Sequence, residues 1–239
     1  MEPSQYAAMR MLEGDYWWYR SLRSLALRRI GKAEKILDAG CGTGGMLERL
    51  RDRRAVGIDF SPVAISHART RGGLRLCAGS VCGLPFRSAS FDAVLALDVI
   101  YHEAVPDDAL AVAECARVLR PGGDLIVQAP AYGWLAGSHD RETHGVRRYT
   151  VPRIRELVES AGLRVRELSY RNLVALPFAI AGRRLGLRSR RDGGGSDLRR
   201  LPGPLNALLA AASFAENACV GFPGLPAGLS VWCVARKPS

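Results

Sequence analysis

At 239 residues the chain is long enough for one domain with a full core and an appendage. Its apolar fraction (48%) and charged fraction (24%) are ordinary, and no uninterrupted apolar run reaches membrane-spanning length, which excludes a chain built around spanning helices. The net charge of +11 is compatible with nucleic acid, an anionic membrane or acidic substrates and selects none of them.

Residues 1–33 read as helical and form the most aromatic part of the chain, with Tyr6, Tyr16, Trp17, Trp18 and Tyr19 ahead of an apolar-basic run from Leu22 to Ile30. A helix packed on a sheet edge and a cap over a ligand pocket both fit. In the second case Trp18 and Tyr19 would wall the pocket, and their ring faces could attract a cation.

Residues 35–45, KILDAGCGTGG, are the stretch around which the rest of the chain is organised. Ile36, Leu37 and Ala39 suit a short buried strand, the glycines a tight turn, and MLERLRDR (46–53) a helix. Such a strand, turn and helix open a nucleotide-binding βα unit. The spacing Gly40-x-Gly42-x-x-Gly45 also fits a dinucleotide fingerprint, with Asp59 placed for a ribose. Asp38 opposes that reading, because a carboxylate just before the loop repels a pyrophosphate on the helix N-terminus. It suits a ligand that carries an ammonium group and no phosphate there, as S-adenosylmethionine does.

Strand and helix then alternate. AVGIDF (55–60), LRLCAGS (74–80), FDAVLALDVIY (91–101), DLIVQAP (124–130), RVRELSY (164–170) and LSVWCVARK (229–237) read as strands. Ser61-Pro62 starts a helix, DDALAVAECARVL forms another up to Pro121-Gly122-Gly123, and TVPRIRELVESAGL a third up to Gly162. This periodicity predicts a mainly parallel sheet with helices on both faces. Residues 171–228 break it. They are apolar and basic, with eight arginines against two aspartates in 170–200 and a low-complexity stretch at 192–197. The six cysteines form no C-x-x-C pair and read as reduced and mostly buried. No signal peptide is evident, so the cytoplasm is the expected location.

The stretch D-x-G-C-G-T-G (38–44) resembles motif I of the Rossmann-like, class I S-adenosylmethionine-dependent methyltransferases. AGSVCGLPFRSASFDAVLALDVIYH (78–102) and RVLRPGGDLIVQAP (117–130) resemble later segments of that family. The resemblance implies an α/β, three-layer Rossmann-like sandwich with a seven-stranded sheet whose last strand is antiparallel between two others. N-terminal helices (1–33) would cap a core of residues 34–170 and 229–239, and 171–228 would be a helical insertion. It implies S-adenosyl-L-methionine as cofactor. Gly40, Cys41, Gly42, Thr43 and Gly44 would line its methionine portion, and Asp38 would hold the ammonium. Asp59 would take the ribose, Phe60 would lie beside the adenine, and Ser80 and Val81 would meet the adenine edge. Leu97 and Asp98 would face the cofactor. Where the family often offers an acid to the adenine amino group, this chain has Ser80.

In-line methyl transfer needs a base only when the acceptor must lose a proton. His102, just after the fourth strand, is the candidate base, and Tyr101 a group to position the acceptor; a plain packing or capping role is the alternative for His102. In the loop 132–149, His139, His144, Arg147, Arg148 and Tyr149 would line an acceptor pocket, the arginines suiting an anionic group. The histidine spacing fits no metal motif. The 171–228 segment would be a lid over an apolar acceptor, a dimer contact, or a surface that lies on an anionic membrane through 171–200. The basic cluster lacks interleaved aromatics, which argues against nucleic acid. The expected function is therefore methyl transfer to O or N of a small, apolar, natural-product or lipid-linked molecule. An NAD-dependent oxidoreductase and a catalytically silent methyltransferase-like module are the alternatives.

Overall fold

The computed structural model describes residues 3–184, 201–221 and 223–239. Helices α1 (Pro3–Leu12) and α2 (Trp17–Ile30) precede strand β1 (Lys35–Ala39). Then come β2 (Arg54–Asp59), α3 (Pro62–Arg69), β3 (Leu76–Ala78) and β4 (Phe91–Leu97). The next elements are α4 (Asp108–Val118), β5 (Leu119–Pro130), a short α5 (Ser138–Glu142), α6 (Val151–Ser160) and β6 (Arg164–Arg171). The chain closes with α7 (Leu176–Arg184), α8 (Gly203–Cys219) and β7 (Ser230–Arg236).

The seven strands form one sheet in the order β3-β2-β1-β4-β5-β7-β6. β1 to β5 are parallel, and β7 runs antiparallel between β5 and β6, as the resemblance implied. Side chains alternate along each strand. Leu37 and Ala39 therefore join a core under α4 and α6, with Val112, Ile154 and Leu157. Ile36 joins the opposite core, with Leu22 and Leu25 of α2 and with Trp232. Both faces are covered, as a mainly parallel sheet requires.

The predicted helix starts hold for a physical reason. Ser61 Oγ accepts from the Ala64 N–H at 3.3 Å with Pro62 in the first turn, and Asp107 Oδ1 accepts from the Leu110 N–H at 3.0 Å. Residues 46–53 do not form the expected α-helix; Leu47–Leu50 is a single 3-10 turn. The flanking residues Met46 and 51–53 are turns that lead into β2.

Strand boundaries also differ from the sequence reading. β3 keeps only three residues of the expected seven, and β4 stops at Leu97. β5 starts before the Pro121-Gly122-Gly123 stretch, which pairs with the chain end through Gly122 N–H to Lys237 O (2.9 Å). The low-complexity stretch and most of the basic cluster, residues 185–200, lie outside the described residues. Among the described residues no helix is long and apolar enough to cross a membrane.

Candidate active site

The order β2-β1-β4 makes β1 the point where the chain turns from one side of the sheet to the other, and ligands bind there beyond the strand ends. A cavity of about 610 Å³ opens at this place. Its wall combines the β1 loop, the ends of β2 and β4, the segment after β3, and α1 and α2 from above.

The loop after β1 is a backbone cradle. Gly40 has φ +79°, and a Cβ there would collide with the Val99 side chain. The Gly40 and Cys41 N–H groups donate to Ile58 O at 2.8 and 2.9 Å, which locks the loop to β2. Asp59 accepts from the Gly42 N–H at 2.8 Å through Oδ2 and from the Ser61 N–H at 2.9 Å through Oδ1. Each of its oxygens keeps a second lone pair, and the residue lines the cavity.

Asp38 is 3% exposed, and its Oδ2 has no hydrogen-bond partner among the described residues. Burial pushes its pKa up to about 7, and the charges of Asp59 and Glu13 add to the rise. A buried carboxylate oxygen with no donor is costly unless a ligand supplies one. The methionine ammonium is such a donor, so this oxygen fits the expected cofactor, whereas a pyrophosphate would meet repulsion.

Glu13 was not legible in the sequence. It sits in the turn after α1, is 3% exposed, and reaches into the β1 loop. Thr43 Oγ1 donates to it at 2.5 Å, and Arg71 forms an ion pair with it and with Glu48. Arg71 Nε also donates to Thr43 O at 2.7 Å. A Cβ at Gly45 would displace the Glu13 carboxylate from this position. Arg23 of α2 lines the cavity beside it and donates to the Glu13 backbone carbonyl.

At the end of β4, Asp98 takes φ +55°. Its N–H donates to Gln128 O at 2.8 Å, and its Oδ2 accepts from Gln128 Nε2 at 2.7 Å. Trp18 also hydrogen-bonds its side chain. Burial raises its pKa to about 6, against the lowering effect of Gln128, Arg171 and Trp18. Behind Gln128, the fully buried Arg171 donates to Gln128 Oε1 (2.8 Å), Ser21 Oγ (2.7 Å) and Asn217 Oδ1 (3.1 Å). Strand β5, helix α2 and helix α8 are tied together there. No sequence motif marked this network; a lone Gln in a buried strand and an Arg at a strand end were the only signals.

Of the expected cofactor residues, Asp38, Gly40, Cys41, Gly42, Asp59, Phe60, Ser80, Val81, Leu97 and Asp98 line the cavity. Thr43 and Gly44 do not; the Thr43 hydroxyl is spent on Glu13. Trp18, Tyr19, Tyr101, His102 and Arg148 share the same wall. Arg148 is bidentate to Asp140, at 2.7 and 3.1 Å, and so is already neutralised.

Three expected acceptor residues lie elsewhere. Arg147 braces the segment after β4 by donating to Val105 O (2.7 Å) and Pro106 O (2.8 Å). Tyr149 is buried, and its hydroxyl, with one proton to give, lies 3.0 Å from both Ile100 O and Asp108 Oδ2. His144 pairs with Glu103 and stacks on His102, with ring centroids 5.8 Å apart. The side chain of His139 is outside the described residues.

The geometry is unfavourable for His102 as a base. Its Nδ1 accepts from the Ala104 N–H at 3.0 Å, which assigns the ring proton to Nε2. Burial lowers its pKa to about 4, so the ring is neutral at pH 7 and already carries a proton on its other nitrogen. Tyr101 hydrogen-bonds Thr143, and burial drives its phenol pKa upward, so it remains protonated.

Residues 37–127 match the sequence model of a family described as a methyltransferase domain. Over those residues the chain is similar to methyltransferase domains. A protein of Mycolicibacterium smegmatis, named as a probable S-adenosylmethionine-dependent methyltransferase, is 33% identical over 165 residues. That match covers 66% of this chain and 63% of the relative. The human protein named as probable tRNA methyltransferase 9B is 37% identical over 110 residues, 44% of this chain and 22% of its own. The chain thus spans less than two thirds of these relatives. Among solved structures, the methyltransferase in the complex with the Haloferax volcanii Trm112 methyltransferase activator superposes with a TM-score of 0.64. It is 22% identical, and 98% of each chain is covered, so the methyltransferase fold extends through the described parts of this chain.

Proposed function

We propose that the chain transfers the methyl group of S-adenosylmethionine to a small-molecule acceptor, at nitrogen or oxygen, inside this cavity. The observation that carries the reading is the cavity's composition. One space joins the glycine loop and Asp38 to a chamber walled by Trp17, Trp18, Tyr19 and Tyr101. Such a chamber suits a compact, partly apolar acceptor.

The bound cofactor supplies a methyl group activated by a sulfonium. The chain's own residues do the rest. Asp38 receives the ammonium, and Gly40, Cys41 and Gly42 let the methionine portion lie against the backbone. Asp59 takes the ribose hydroxyls with its spare lone pairs, while Phe60, Ser80 and Val81 flank the adenine. Helices α1 and α2 cap the site and exclude water, which favours displacement between aligned groups. Residues 1–33 act as this cap, 34–170 with 229–239 as the core, and 171–228 as a lid or contact. Ala179 of α7 on the cavity wall supports the lid. The tRNA named for the human relative belongs to a protein of which the match covers 22%, and it gives no acceptor for this chain.

The test is transfer from methyl-labelled S-adenosylmethionine into an extract of the source cells, split into small metabolites, lipids and macromolecules. Label is expected in metabolites or lipids. Label confined to RNA or protein would overturn the small-molecule reading, and failure to bind S-adenosylhomocysteine would overturn the cofactor assignment.

A further inference from the structure

We infer, resting on the small-molecule reading above, that the acceptor is an amine and that Asp98 is the carboxylate that receives its nitrogen, beneath Trp18, Tyr19 and Tyr101.

The first ground is aim. Asp98 holds a left-handed backbone conformation, φ +55°, that non-glycine residues adopt seldom. Gln128 fixes both its N–H and its Oδ2, so the side chain has one orientation, on the cavity wall. The second ground is charge. Among the described residues Asp98 makes no ion pair. Arg171 is separated from it by Gln128 and has its donors engaged. Of the arginines on the wall, Arg148 is bidentate to Asp140, Arg23 donates to the Glu13 and Gly14 carbonyls, and Arg141 is exposed on α5. The chamber therefore offers a carboxylate whose nearest positive charge, Arg171, lies behind Gln128 and off the cavity wall, together with three aromatic rings. An ammonium satisfies both, by a charge-assisted hydrogen bond and by attraction to ring faces. An anionic acceptor would meet neither.

The third ground is proton handling. His102 accepts a backbone N–H through Nδ1, so Asp98 is the better-placed proton acceptor on this side of the cavity. Groups facing Asp98 are Trp18 and Tyr19 from α2, Tyr101 from the loop after β4, Gln128 from β5 and Arg171 from β6. None of them is a base at neutral pH. Burial raises the Asp98 carboxyl pKa to about 6, which narrows its gap to the ammonium it deprotonates. The ammonium proton passes to a carboxylate oxygen of Asp98. The nitrogen lone pair then forms the N–C bond to the methyl carbon as the C–S bond breaks, and its electrons go to sulfur. The products are a methylated ammonium and S-adenosylhomocysteine, and Asp98 returns its proton to water. A hydroxyl acceptor is far too weak an acid for a carboxylate of this strength.

The experiment is calorimetric titration of the full chain, saturated with S-adenosylhomocysteine, with four phenyl-bearing probes: benzylamine, benzyltrimethylammonium, benzyl alcohol and benzoate. The two cations are expected to bind at least about tenfold more tightly than the alcohol, and benzoate most weakly. D98N should remove the preference while S-adenosylhomocysteine still binds; D98E, which keeps the charge, should retain part of it. In the unmutated protein, benzyltrimethylammonium does not titrate, so its affinity should fall as pH drops from 7 to 5. Equal binding of alcohol and amine, or a pH-independent affinity for the permanent cation, overturns the assignment of Asp98. Loss of S-adenosylhomocysteine binding by the unmutated protein overturns the underlying reading instead.

Discussion

Asp38 makes cofactor affinity depend on pH in a calculable way. In the ligand-free protein its carboxyl titrates near 7, because burial and the neighbouring Asp59 and Glu13 disfavour its charge. S-adenosylhomocysteine carries the same ammonium as the methyl donor and binds the ionised form. Its affinity should therefore scale with the ionised fraction, falling by a factor of about 1 + 10^(7 − pH). From pH 8 to pH 6 the loss is about tenfold, or about 1.4 kcal/mol. Near pH 7, binding should release about half a proton per molecule, which buffers of different ionisation enthalpy reveal in calorimetry. D38N should flatten the profile and weaken binding at pH 8 by roughly 10- to 100-fold, the worth of a hydrogen bond between charged partners. The free protein should respond in the opposite sense. A folded-state pKa above 3.8 means that the native state binds more protons than the unfolded chain between about pH 4 and 7. Stability falls as pH rises through that window, so D38N should raise the melting temperature at pH 8. His102 titrates near 4 and does not contribute between pH 6 and 8. Asp98, which titrates near 6, is controlled by D98N. A flat affinity between pH 6 and 8 in the unmutated protein would refute Asp38 as the ammonium partner.

Other substitutions probe the scaffold around this pair. Gly40→Ala should cost about 1–3 kcal/mol and abolish cofactor binding, since φ is +79° and the new Cβ meets Val99; V99A in the same chain should restore stability in part, seen in denaturant titrations. Glu13→Ala should loosen the glycine loop by freeing Thr43 and Arg71, with S-adenosylhomocysteine bound roughly tenfold more weakly and the fold retained by circular dichroism. Arg171→Met should destabilise by about 3 kcal/mol or more, because Gln128, Ser21 and Asn217 all lose a buried donor. His102→Ala should keep turnover within about tenfold; a loss of a thousandfold, with a pH profile that tracks a single base, would restore it as the general base.

The glycine loop and the strand–helix alternation were legible because they are local. Gly40 must be glycine for its own φ and for the approach of Val99, and Ile36 and Leu37 declare a strand buried on both faces. The short 3-10 turn after the loop was not legible, since the sequence MLERLRDR has a helical pattern throughout. Glu13 and Arg171 were missed for a related reason. Each matters through partners more than 25 residues away, and a single chain written out in order carries no sign of such pairings. Arg147 and Tyr149 show the converse error. A basic-aromatic cluster in a loop beyond a parallel strand resembles a binding surface, yet both side chains turn back to hold the carbonyls that come after β4.

The buried network around Arg171 bears on how the cap and insertion relate to the core. Arg171 is fully buried with no carboxylate in direct contact among the described residues, an arrangement that lowers its pKa to about 10. A charge placed so is tolerated only when every donor has a partner. Its partners come from α2 (Ser21), β5 (Gln128) and α8 (Asn217), so no one of these elements can be removed without stranding the guanidinium. Asn217 Nδ2 donates to Ser21 as well, and Ser21 Oγ donates to Ser213 Oγ at 2.9 Å, which fastens α8 to α2 directly. The same amide that receives Arg171 holds Asp98 on the cavity wall. Changes at Ser21 of α2 or Asn217 of α8 therefore reach Asp98 through Gln128, while the cofactor loop, tied instead to Glu13 and Arg71, is held by a separate set of bonds. Variants of Ser21 or Asn217 should accordingly change acceptor binding more than cofactor binding, and variants of Arg71 the reverse.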